Sequence, residues 1–283
     1  MKPGPGVRAV ETGATIGGLL RESGLPRTEA ELLLRVLLGR ERVHLITHAE
    51  EAIDSSKACS AQAWFARRRA GEPVSYITGR REFYGLALRV TPEVLIPRPE
   101  TERLVELALE RLPLGAPARV LELGTGSGAI AVALASERPG LGIVATDVSE
   151  AALALARRNA REHGAEIEFV LSDWFQALGP EPFDLIVSNP PYVAAGDAHL
   201  EQGDVRFEPR LALAGGEDGL ACIREIAASA QDRLRPGGGL LVEHGYDQGD
   251  RCVELFRALG YAEVADFHDL AGWPRTCAGV WRG

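Results

Sequence analysis

Residues 119–128 read Arg119-Val120-Leu121-Glu122-Leu123-Gly124-Thr125-Gly126-Ser127-Gly128. Val120, Leu121 and Leu123 predict a short buried strand, the glycines close it, and the apolar run that follows predicts a helix over 128–137. Glycines at such a turn let a ligand approach the backbone. The spacing is GxGxG rather than GxGxxG, and a carboxylate, Asp147, follows 23 residues after Gly124 at the tip of the next predicted strand. A ribose presents two hydroxyls that one carboxylate can accept together.

Outward from this turn, strand and helix patterns alternate. Strands are expected near 119–123, 142–147, 167–172, 184–188 and 239–244, and helices near 128–137, 149–163 and 218–234. Two late runs, Glu263 to His268 and Thr276 to Trp281, lie close together without a full helix between them, so the final strand is expected to run antiparallel. The order is that of an α/β protein, a doubly wound, mostly parallel sheet covered on both faces, which binds ligands beyond the carboxyl ends of its strands. Asp173-Trp174 ends the third strand, a carboxylate and a flat indole suited to the amino group and the face of an adenine. Either carboxylate alone reads as a helix N-cap. Three successive strand tips together describe a nucleoside site.

The fourth tip has the most unusual chemistry. Phe183 to Val193, FDLIVSNPPYV, runs from a buried strand into Asn189-Pro190-Pro191-Tyr192. Two adjacent prolines remove two backbone N–H groups and leave carbonyl acceptors on a backbone of fixed φ. With the Asn189 side-chain carbonyl and the flat Tyr192 ring, this loop suits a planar NH2 group, as found in amides and aminopurines. Asn-Pro alone marks only a turn. The second proline, the tyrosine and the preceding strand are what set it apart.

Upstream, residues 13–71 show helical patterns without a strand. Arg27 to Leu38 carries Ala30, Leu33, Leu34, Leu37 and Leu38 on one stripe, with Thr28 and Glu31 spaced as a capping box; Val43 to Ala49 and Lys57 to Ala70 follow. Glu82 to Arg98 breaks into short aromatic and branched runs around Gly85, Pro92 and Pro97, the pattern of a hairpin, and Glu100 to Leu112 returns to helix. The chain therefore partitions into a helical domain (1–72), a β-hairpin linker (73–99) and a sheet domain (100–283).

Composition narrows the classes. The 283 residues are 46% hydrophobic and 25% charged, ordinary for a soluble globular chain. No run approaches eighteen apolar residues, and the start, MKPGPGVRAV, lacks a signal peptide's apolar core, so a cytoplasmic protein without membrane contact is expected. Cys59, Cys222, Cys252 and Cys277 form no CxxC pair and the six histidines show no ligand spacing, so no metal is expected. The net charge of -9 is uneven: residues 1–90 hold 14 Lys and Arg against 10 Asp and Glu, and the remainder 17 against 30. The basic front, with Arg67-Arg68-Arg69 and Arg80-Arg81, offers a face to RNA or to an acidic protein, or is a solvated helix surface. The acidic remainder argues against a grip on duplex DNA.

Glu122 to Gly128, Asp147 and Asn189-Pro190-Pro191-Tyr192 together resemble S-adenosylmethionine-dependent amino-methyltransferases. More narrowly, the chain resembles the release factor glutamine methyltransferases, the HemK/PrmC family. That likeness rests on Pro73-Val-Ser-Tyr76-Ile-Thr-Gly79, Glu82-Phe83-Tyr84-Gly85, Ile96-Pro97-Arg98-Pro99-Glu100-Thr101-Glu102, Arg206-Phe-Glu208-Pro209, Gly215-Gly216-Glu217-Asp218-Gly219-Leu220 and Glu243-His244-Gly245. It implies a Rossmann-like methyltransferase sheet. It also implies methylation of the glutamine side-chain amide in the Gly-Gly-Gln motif of peptide chain release factors, with the front domain docking the substrate. Carried onto this sequence, Glu122, Gly124, Thr125, Gly126, Ser127, Gly128, Asp147, Asp173, Trp174 and Asn189 are expected to bind S-adenosylmethionine. Asn189, Pro190, Pro191 and Tyr192 are expected to bind substrate, with Asn189, Pro190 and Tyr192 catalytic: Asn189 and the Pro190 carbonyl accept the amide hydrogens while Tyr192 packs over the amide plane. Glu243 stays open between aiding proton loss and anchoring a loop. An adenine or cytosine amino-methyltransferase acting on nucleic acid shares the tetrapeptide but calls for a large basic recognition domain, so nucleic acid is not the expected substrate. A non-catalytic adaptor calls for damaged motifs, and these are intact.

Overall fold

A computed structural model describes residues 14–283; the opening segment MKPGPGVRAV and the rest of 1–13 lie outside the described residues. The chain divides into two compact units, the first ending at Thr78 and the second spanning Gly79–Gly283.

The first unit is helical: α1 (Ile16–Glu22), α2 (Arg27–Leu38), α3 (Arg42–Thr47), α4 (Ser55–Arg69) and α5 (Val74–Thr78). Ile16, Leu19, Leu33, Leu34, Leu45, Phe65 and Ile77 form its core, the apolar stripes of the helices turned inward. The capping box expected at Thr28 and Glu31 is not formed. Pro26 takes the N-cap position with no side-chain cap, so Thr28 already lies within the first turn. Glu31 is buried, and its two oxygens accept from Arg27 Nε at 2.6 Å and Arg42 Nε at 2.7 Å. Residues 74–78, assigned to the linker from sequence, are helical, and Ile77 packs into this core.

The second unit opens with β1 (Arg80–Phe83) and β2 (Leu86–Arg89), an antiparallel hairpin whose two loop residues, Tyr84 and Gly85, have φ of 52° and 74°. Positive φ at both positions matches the right-handed twist of paired strands. Phe83 and Leu88 are buried in the main core, so the hairpin packs as part of this unit. There follow α6 (Glu102–Arg111), β3 (Arg119–Leu123), α7 (Ala129–Glu137), β4 (Gly142–Asp147), α8 (Glu150–Glu162), β5 (Ile167–Leu171), β6 (Phe183–Ser188), α9 (Ala221–Ser229), β7 (Leu234–Glu243), α10 (Gly249–Ala258), β8 (Ala262–His268) and β9 (Pro274–Val280).

Seven strands make one sheet in the order β5-β4-β3-β6-β7-β9-β8. The first five are parallel, and β9 runs antiparallel to both β7 and β8. Covered on both faces, this is the doubly wound, Rossmann-like arrangement expected from sequence. One core gathers Leu104, Val105, Ile130, Val132 and Leu185; the other gathers Leu121, Ile186, Ile223, Leu240 and Phe256. The strand order reverses between β3 and β6, which places a ligand crevice at their carboxyl ends. Two elements differ from the sequence expectation. Helix α10 was not anticipated, although Cys252 and Phe256 give it a buried stripe. Strand β7 begins at Leu234, because Phe183 pairs with Leu234 ahead of a register shift.

Candidate active site

At those carboxyl ends lies a cavity of about 600 Å³, and the four strand tips meet there. Its wall includes Glu122, Gly124, Thr125, Gly126 and Ser127 from the first tip, Asp147 from the second, Asp173 and Trp174 from the third, and Asn189 and Pro191 from the fourth. Gly128, Pro190 and Tyr192 do not line it.

The glycine turn is held by groups the sequence supplies on either side. Glu122, at the end of β3 and 1% exposed, accepts at Oε2 from Thr125 Oγ1 at 2.6 Å and from Ala131 N at 3.1 Å. One carboxylate thereby ties strand, turn and the first turn of α7. Thr125 N donates to Thr146 O at 2.9 Å, and Gly126 N to Asp147 Oδ2 at 2.8 Å. Asp147 Oδ1 accepts from Ser149 N at 2.9 Å, which fixes the entry to α8. Gly128 serves packing rather than ligand contact: at φ 82°, a Cβ there would lie 3.1 Å from Ala156 Cβ. Trp174 holds a φ of 46°, a left-handed backbone uncommon outside glycine. Its ring lies beside the turn, 3.7 Å from where a Cβ on Gly124 would sit. The Asp173 carboxylate accepts at Oδ2 from Gln176 Nε2 at 3.0 Å.

At the fourth tip the structure alters the sequence picture. Asn189 Nδ2 donates to Thr101 Oγ1 at 3.0 Å, and Asn189 and Thr101 both line the cavity. The Tyr192 ring, expected to face the ligand, packs instead against the core beneath. Its hydroxyl donates to Glu243 Oε1 at 3.3 Å, and its carbonyl accepts from Gln248 Nε2 at 3.0 Å. An aromatic ring gains more from apolar burial with a satisfied hydroxyl than from an open wall. Pro190 is buried and Pro191 forms the wall. The segment after the tetrapeptide packs on it backbone to backbone: Val193 N donates to Leu213 O and Gly215 N to Val193 O. A Cβ on Gly215 would lie 2.5 Å from the Pro191 carbonyl oxygen, so only glycine fits.

Three supporting residues have no role assigned from the sequence, although Thr101 and Glu208 stand in the motifs that carry the family likeness. Thr101 is one. Asn159, fully buried on α8, donates from Nδ2 to Ser127 O at 2.8 Å and Arg89 O at 3.0 Å, and accepts at Oδ1 from Arg89 N at 2.8 Å. It fastens hairpin strand β2 to the glycine turn. Glu208, also buried, accepts at Oε2 from Arg98 Nη2 at 2.8 Å. Leu211, Ala212 and Ala214, just beyond it, cover the cavity. Each partner is distant in sequence, so only the folded chain reveals the pairing.

Burial pushes Glu122 up to about 8, against hydrogen bonds from Thr125 and Ala131 that favour its charge. Burial likewise raises Glu208 to about 7, opposed by Arg98, and Glu243 to about 7, opposed by Thr101, Arg275 and Tyr192. All three bind protons more tightly folded than unfolded. Their contribution to stability is present below the unfolded value of 4.5 and is lost as pH rises through 7 to 8. Each group can remove up to about 1.4 kcal/mol per pH unit in that window. Thermal unfolding between pH 5.5 and 8.5 is expected to show a melting temperature that falls as pH rises. Glu122→Gln should flatten that slope, and an unchanged slope would remove Glu122 from the account.

Among the described residues, no group of His, Cys, Asp and Glu could hold a metal ion, and no helix is long and apolar enough to cross a membrane. The run Arg67-Arg68-Arg69 is engaged within its own unit: Arg67 pairs with Glu72, Arg68 with Glu29, and Arg69 Nη1 donates to Ser23 O.

Residues 102–205 match the methyltransferase small domain, and residues 16–79 match the PrmC N-terminal domain. A release factor glutamine methyltransferase of Bordetella pertussis is 49% identical over 92% of this chain and 97% of its own length. One of Burkholderia pseudomallei is 50% identical over 94% and 96%. Among solved structures, a methyltransferase from Pyrococcus furiosus superposes with a TM-score of 0.54 at 21% identity, covering 76% of this chain and 96% of that one, a likeness of fold.

Proposed function

This chain belongs to the release factor glutamine methyltransferase family, and on that premise we propose that it methylates the glutamine side-chain amide in the Gly-Gly-Gln motif of peptide chain release factors, with S-adenosylmethionine as donor. The observation that carries this reading is Asn189, whose NH2 is spent on Thr101 so that its carbonyl is left for the cavity. An acceptor there suits a substrate that brings an NH2 group.

The cavity fits the donor. Gly124, Gly126 and Ser127 give open backbone, Asp147 a carboxylate for ribose hydroxyls, Asp173 and Trp174 an acceptor and a flat face for adenine. Glu122 also lines the cavity, and an amino acid ammonium there would favour its ionised form against the burial that raises it. When bound, S-adenosylmethionine supplies a methyl group on a sulfonium. The protein's share is to orient a poor nucleophile, because an amide nitrogen has its lone pair delocalised. Asn189 Oδ1 accepts an amide hydrogen, which draws negative density onto nitrogen and fixes its direction. Well-oriented reactants gain on the order of 7 to 11 kcal/mol, so no strong base is demanded.

In this reading the first unit docks the protein substrate. Its arginine run is engaged internally, while Leu32 and Val36 on α2 and Val43 and Ile46 on α3 are exposed, a surface better matched to protein than to RNA. The enzyme works in the cytoplasm, beside its release factors.

The test is transfer of labelled methyl from S-adenosylmethionine to a purified release factor, located by peptide mass. Label is expected on the Gly-Gly-Gln peptide. It should vanish when that glutamine becomes alanine, and DNA and RNA should take up none. Labelled adenine in nucleic acid with an unlabelled release factor would put the nucleic-acid reading in its place.

A further inference from the structure

The residue at the N-cap position of α10 is Gln248, 6% exposed and not part of the cavity wall. An N-cap side chain ordinarily accepts from the backbone N–H groups of its own helix, and this one makes no cap. Its amide is spent elsewhere: Oε1 accepts from Gly245 N at 2.8 Å, and Nε2 donates to Tyr192 O at 3.0 Å. These partners fix which end of the amide is which, because a backbone N–H only donates and a carbonyl only accepts. One plane therefore joins the turn after β7 to the last residue of Asn189-Pro190-Pro191-Tyr192. The same point is pressed from a third side. A Cβ on Gly219 would lie 2.6 Å from Gln248 Nε2 and collide with Tyr192 O, so the backbone fits there only as glycine. One turn further along α10, Arg251 Nη2 donates to Asp218 Oδ2 at 2.5 Å, which ties the helix to the segment that carries Gly219.

We infer that Gln248 is a positioning residue for methyl transfer: by holding the Tyr192 carbonyl to the turn after β7, it keeps the tetrapeptide where Asn189 faces the substrate. This rests on the amide-methylation reading above. Pro190 and Pro191 have no N–H to donate, so the tetrapeptide is braced at its ends. Asn189 Nδ2 on Thr101 Oγ1 is the brace at one end, and Gln248 on Tyr192 O is the brace at the other. The prolines also hold φ fixed, so a shift at Tyr192 is passed on to Asn189 rather than absorbed between them. Without its donor, the Tyr192 carbonyl turns to find another and carries Asn189 with it. A small misplacement of an orienting group falls on the rate of the chemical step. The cofactor's own partners, Asp147, Trp174 and the glycine turn, lie on other strand tips and are spared.

The test is Q248M in the release-factor assay, a change that keeps length and burial while removing both hydrogen bonds. It is expected to lower kcat by about five- to twentyfold. The Kd for S-adenosylmethionine and the KM for release factor should stay within about twofold, the split that marks a loss confined to the transition state. Cys252→Ala is the control, a buried residue on the same helix that touches neither Gly245 nor Tyr192. It should lower the melting temperature while kcat holds within about twofold. An unimpaired kcat in Q248M, an equal loss in cofactor affinity, or an equal loss of kcat in Cys252→Ala each overturns the inference. If Q248M does not fold, Gly219→Ala carries the test, since its Cβ wedges into the same hydrogen bond. A loss of kcat at unchanged cofactor affinity is expected there too, and a wild-type kcat would overturn the inference. A wild-type enzyme silent on release factor would sink the functional reading instead, before any variant is compared.

Discussion

Replacing Asp147 with alanine is expected to raise the dissociation constant for S-adenosylmethionine by roughly tenfold to a hundredfold, from the 1.5 to 3 kcal/mol that hydrogen bonds to a charged group contribute. The structure gives this side chain two duties. It faces the cavity, where a ribose would meet it, and it holds the cavity's own wall through Gly126 N at Oδ2 and Ser149 N at Oδ1. Alanine removes the ligand's partner and leaves both N–H groups seeking another. Burial already raises the Asp147 carboxyl, and the backbone N–H bonds to Ser149 and Gly126 work against that rise. Asp147→Asn keeps one acceptor oxygen and should lose less. Titration calorimetry separates the two variants. An alanine variant with unchanged affinity would place the ribose elsewhere, and binding of NADH in place of S-adenosylmethionine would discard the site assignment.

The second large effect falls on rate rather than affinity. Asn189→Ala is expected to lower kcat on release factor by roughly tenfold to a hundredfold, since one desolvated amide N–H is left unpaired at a loss of about 1 to 3 kcal/mol. S-adenosylmethionine affinity should change much less, because Asp147, Trp174 and the glycine turn stay in place. The structure adds a further expectation. Asn189 is oriented by Thr101 at 3.0 Å, so the loss includes a positioned acceptor and not only a contact. Single-turnover kinetics report the chemical step directly. Equal losses in cofactor affinity and in rate would make Asn189 part of the cofactor wall alone.

The strand tips were legible in the sequence because their signals are local. A strand buried on both faces reads as a short apolar run, a glycine turn announces itself by composition, and a carboxylate at the next strand's tip is found by counting. Hence β3, β4, β5 and β6, their order along the chain and the residues at their ends could be named before any coordinate. The antiparallel last strand was legible for a similar reason, since two runs so close together leave no room for a crossover helix. Helix α10 was missed although its stripe is local; its N-cap position is held by Gln248, whose side chain makes no cap.

Only the folded chain decided which way the side chains at the fourth tip face and what holds them. Tyr192 and Asn189 are three residues apart, yet one packs half-buried against the core and the other lines the cavity. Their partners, Glu243 and Thr101, lie 51 and 88 residues away. The same holds for Glu31, whose spacing from Thr28 suggested a cap. Two arginines claim its oxygens, one of them from the next helix. Buried polar groups must find hydrogen bonds wherever the fold provides them. Sequence therefore determined which residues reach the carboxyl edge of the sheet, through strand period and turn chemistry. Tertiary structure determined their orientation and protonation, because both depend on burial and on partners that the sheet's crossovers bring together.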